Sequence, residues 1–69
     1  MRVFDQYPTL RTVVVNTKSG RAFRGVLWRR RGGLLVLRNA ELLKPGGETV
    51  AMDGEVVIAA ENVDFMQVL

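Results

Sequence analysis

Apolar residues in this chain fall in strand-length segments, separated by stretches that hold glycine, asparagine or aspartate. That punctuation belongs to strands and turns rather than to the i, i+3, i+4 recurrence of amphipathic helices. Eleven residues are valine, clustered at Val13-Val14-Val15 and Val56-Val57, and β-branched clusters favour pleated backbone. The pattern predicts five strands, over residues 11–16, 21–29, 34–43, 48–59 and 63–69. Tight turns fall between them at 17–20, 30–33, 44–47 and 60–62, with Gly20 free to take positive φ. On the second strand Phe23, Gly25 and Leu27 share one face, while Ala22, Arg24, Val26 and Trp28 share the other. Gly25 in mid-strand predicts a sharp bend or a close backbone approach. Asp53-Gly54 within the fourth strand reads as a bulge in preference to a hairpin that would split it. Residues 2–9 hold the one helix candidate, a short turn stopped by Pro8 with Val3, Phe4 and Tyr7 on one side. Five short antiparallel strands make an all-β fold, a small bent sheet or barrel.

Composition adds a need for partners. Residues 1–69 are enough for a single domain, and a chain this short buries only about 60% of its unfolded surface. Small domains usually add disulfides, a metal or oligomerisation. Cysteine and histidine are both absent, which removes disulfides and the commonest metal ligands and leaves packing against other copies. No metal or other cofactor is expected. No apolar run reaches the length of a membrane span, and the start Met1-Arg2-Val3-Phe4-Asp5 has no apolar signal core, so a cytoplasmic protein without membrane contact is expected. The net charge of +3 favours anionic partners. Eight of the ten basic residues are arginine, a bias that bidentate phosphate contacts or GC-rich codon usage would produce equally.

Catalysis has little to stand on. Without histidine or cysteine an enzyme needs paired carboxylates, a lysine nucleophile or an activated serine. Ser19 is the single serine and has no base near it in sequence, and the acids Glu41, Glu48, Asp53, Glu55, Glu61 and Asp64 lack the spacing of a metal loop. A binding module is expected rather than an enzyme.

The segment Gly20-Arg21-Ala22-Phe23-Arg24-Gly25-Val26-Leu27 resembles the first Sm motif, and Leu35-Val36-Leu37-Arg38-Asn39-Ala40-Glu41 resembles its end. Gly54-Glu55-Val56-Val57-Ile58, followed by Glu61-Asn62-Val63, is similar to the second Sm motif. Together these cover residues 11–69. The resemblance to the Sm-like family implies an N-terminal helix on a strongly bent five-stranded antiparallel barrel. It also implies a homo-oligomeric ring, a hexamer or heptamer with a pentamer as the smaller variant, built by pairing strand four of one copy with strand five of the next. Strand five supports this independently, because apolar residues on both faces of an edge strand call for a cover. The interface candidates are Val56, Val57 and Ile58 on strand four, and Phe65, Met66 and Val68 on strand five.

Members of the family that bind uridine-rich RNA use an Asp and an Asn after strand two and an Arg-Gly pair after strand four. Here those turns read Arg29-Arg30-Arg31-Gly32-Gly33 and Ala59-Ala60, so the residues that would read the base are replaced. The resemblance turns both loops towards a central pore, where repeated arginines would need anions to neutralise them. Arg29, Arg30, Arg31, Gly32 and Gly33, with Asn62 near the pore, are therefore the candidates for binding nucleic acid. The glycines would let backbone N–H groups approach phosphate. Trp28 reads either as a base-stacking surface or, in preference, as a buried core or interface aromatic. The reading is a ring that binds single-stranded RNA through phosphate contacts with weak base specificity. The alternative is a structural ring with a protein partner, such as a phage or mobile-element component.

Overall fold

The computed structural model describes residues 8–69. Six strand segments follow one another: β1 Thr12–Thr17, β2 Ala22–Arg31, β3 Leu34–Leu43, β4 Thr49–Ala51, β5 Glu55–Ala59 and β6 Val63–Val68. A single 3-10 turn, Ala60–Asn62, separates β5 from β6. The sheet is antiparallel throughout, in the order β4-β3-β2-β1-β6, with β5 also paired to β3. Residues 2–7 of the expected helical turn lie outside the described residues, and Thr9 and Leu10 form a turn.

The long second and third strands bend because small residues line up across the sheet. Gly25 on β2 stands alone opposite Asn39 and Ala40 on β3, since Arg24 pairs with Glu41 and Val26 with Arg38. A Cβ at Gly25 would lie 3.0 Å from both the Ala40 Cα and the Arg38 carbonyl oxygen, so only glycine lets the strands close up there. Across the other edge of β3, Met52, Asp53 and Gly54 face the same two residues, because Arg38 pairs with Glu55 and Glu41 with Ala51. The fourth predicted strand is thus interrupted by a bulge into β4 and β5. Both segments stay on β3, and the Met52 N–H donates to the Ala40 carbonyl at 2.9 Å. The bulge expected at Asp53-Gly54 is present, and the hairpin is not.

The bend wraps the sheet around one core. Val13, Val15, Leu27, Leu35 and Leu37 are fully buried, joined by Phe23, Ala40, Ile58 and Ala60. Burying each large aliphatic side chain contributes about 1.5–3 kcal/mol. Leu42, Met52, Val56, Val63 and Met66 pack against this cluster from its rim.

Candidate nucleic-acid interface

The arginine triplet lies in a strand. β2 runs to Arg31, which pairs with Leu34, while Arg30 pairs with Leu35; the turn is Gly32 and Gly33 alone, with Gly32 at φ +55. The sequence reading, which places residues 30–33 in the turn, is corrected here. A two-residue hairpin with glycine first suits the twist of its strands, and arginine tolerates exposed strand positions because its stem lies along the sheet.

A bulge at Trp28 decides which way the triplet points. Leu27 pairs with Leu37 but Arg29 pairs with Val36, so Trp28 is the extra residue. Strict alternation from buried Leu27 would send Arg29 and Arg31 inward. The extra residue resets the alternation and brings both to the outer face, about 7 Å apart along the strand. Arg30 takes the opposite face, where it is half-buried and its Nη1 donates to the Gly32 carbonyl at 2.8 Å.

Arg29 and Arg31 line an open concavity of about 560 Å³ with Gly32, Leu34, Val36, Glu55 and Val57. Two rows of paired residues build it: Arg31, Leu34 and Ala59 in one, and Arg29, Val36 and Val57 in the next. Neither arginine forms an ion pair among the described residues. Glu55 is engaged by Arg38, whose Nε donates to Oε2 at 2.9 Å. The Arg38 guanidinium also lies 3.9 Å from the centre of the Trp28 ring. Trp28 is therefore neither in the core nor open for stacking on that face; it is 38% exposed and covered by Arg38.

The turn after β5 meets the hairpin tip. The Ala60 N–H donates to the Gly33 carbonyl at 2.7 Å, and Gly33, Leu34, Ala59, Ala60 and Glu61 surround a second hollow. The structure thus gathers Arg29, Arg31, Gly32 and Gly33 at one end of the molecule. Asn62 lines a different groove with Thr17, Ser19 and Arg21, and its carbonyl accepts from the Lys18 N–H at 2.8 Å. Leu34 and Glu61 join the hairpin end, although neither is among the binding candidates of the sequence. Only the register places Leu34 beside Arg31, and only the fold places Glu61 beside Gly33.

Two sheet edges are unpaired among the described residues, one formed by β4 and β5, which lie end to end along β3, and the other by β6. Val57 and Phe65 are each 53% exposed and Val68 is 46% exposed, while Ile58 belongs to the core and Val56 and Met66 pack against it.

No protein-family model matches the sequence, and no curated protein matches it. Solved structures do. A heptameric archaeal Sm protein, solved with implications for the eukaryotic snRNP core, superposes with a TM-score of 0.76 at 26% identity, over 87% of this chain and 87% of that one. The P. aerophilum SmAP1 heptamer gives the same TM-score and identity over 87% of this chain and 80% of its own. In its fold, and in the motifs around residues 20–27 and 54–58, the chain is similar to these Sm-like proteins.

Proposed function

We propose that the protein forms a closed ring of identical copies and that the ring binds single-stranded RNA by its phosphates, with weak base readout. Heptamery in both structural neighbours supports seven copies, and the open edges of β5 and β6 supply a pair of strands for each contact. The observation that carries the RNA reading is the outward pair Arg29 and Arg31, free of ion pairs among the described residues, beside the hairpin tip that the family turns towards its pore. Their spacing along the strand suits successive phosphates of an extended strand, and guanidinium groups grip phosphate bidentately.

Fluorescence anisotropy with a short unstructured RNA tests this. Wild-type affinity should fall as salt rises, with a log–log slope of about 0.7 for each phosphate neutralised. The double variant Arg29→Gln, Arg31→Gln should bind at least about tenfold more weakly with a flatter slope. Arg30→Gln, on the other face, should change little. A wild-type protein that ignores RNA at low salt would refute the reading.

A further inference from the structure

The hollow between the hairpin tip and the turn after β5 has its own chemistry. Its walls are Leu34, Ala59 and Ala60, its edge is the backbone of Gly33, and its one ionisable side chain is Glu61. Leu34 is 45% exposed, although it sits in the middle of the row Arg31, Leu34, Ala59. Glu61 is exposed and has no ion-pair partner among the described residues. The Ala60 N–H is already spent on the Gly33 carbonyl. A flat ring seated against Leu34 and the alanines would therefore meet a carboxylate that only accepts hydrogen bonds, with its phosphate towards Arg31, the partner of Leu34 in the same row.

From this juxtaposition we infer that the hollow selects bases with a donor edge, guanine first. Guanine offers N1–H and N2–H₂ side by side, which match the two oxygens of a carboxylate. Cytosine and adenine offer one amino group each. Uracil offers a single N–H flanked by two carbonyl oxygens, which a carboxylate repels. Arginine contacts hold every sequence alike, whereas Glu61 discriminates. The inference rests on the RNA-binding reading and gives its weak selectivity a direction.

The test uses six-nucleotide RNAs at low salt: a uridine hexamer, the same strand with one guanosine, and that strand with inosine in place of guanosine. A good bidentate contact discriminates by about five- to tenfold or more. Wild type should prefer the guanosine strand by about that factor, and inosine, which lacks the N2 amino group, should lose most of the gain. Glu61→Gln should lower affinity for the guanosine strand. It should also raise affinity for the uridine hexamer, because a negative charge near the phosphates is gone, and a purely structural role for Glu61 would not produce that crossover. Equal binding of all three strands by wild type, or a guanosine preference that survives Glu61→Gln, overturns the inference and leaves RNA binding standing. Failure to bind any strand overturns both.

Discussion

Single residues carry more of this molecule than its length suggests. Gly25 is the clearest case. Two backbone atoms lie 3.0 Å from where its Cβ would be, and neither can rotate away. Gly25→Val should destabilise the protomer by about 1–3 kcal/mol, the range for overpacked cores, read as a lower urea midpoint at unchanged m-value. Arg38 acts differently, spanning three strands by covering Trp28 on β2 and pairing with Glu55 on β5. Its groups are two-fifths exposed, so solvent screens the pair. Arg38→Ala should cost about 1 kcal/mol or less, and the tryptophan emission should change because the cation leaves its ring. The role of Gly25 was legible in the sequence, since a glycine between apolar alternating positions has few other uses. The role of Trp28 was not. A bulge leaves no mark on a side chain that suits either face, and the outward turn of Arg29 and Arg31 follows from that bulge alone.

At the scale of elements, the alternation of residues 12–43 laid out three strands and their turns within a residue or two. Errors gathered at the ends, where arginines looked like solvent-loop residues although β2 continues through them. The bulge over Met52 to Gly54 was readable because Asp-Gly rarely sits in a regular ladder. The same reading keeps β4 and β5 on one partner strand, and both pair with β3. Edge strands show the limit of local pattern. Apolar residues on both faces of the last strand pointed to a partner, and the structure separates those that stabilise the protomer from those left uncovered. Met66 packs on its own core, so Met66→Arg should unfold the protomer as well as disrupt contacts. Phe65 and Val57 are the cleaner probes, being more than half exposed. Phe65→Asp should leave the far-UV spectrum strand-like while reducing the particle mass in light scattering towards one chain. An unchanged mass would remove β6 from the assembly contact.

The whole molecule is a small barrel with two uncovered edges and a basic outer pair beside its hairpin tip. Each feature is awkward for a lone chain and sensible in a ring. Closing a ring would pair the edges and shelter Val57, Phe65 and Val68, and repetition would turn two arginines per copy into a band of positive charge. With a net +3 on each chain, such a band repels itself unless an anion runs along it. Assembly and RNA capture therefore belong to one account, and native mass spectrometry reads both at once. Wild-type protein mixed with an equimolar short unstructured RNA at low salt should appear as seven chains of 7.7 kDa with one RNA strand bound. The strand should leave as salt rises while the seven chains stay together. Single chains at micromolar concentration, or a ring that never carries RNA, would contradict the account.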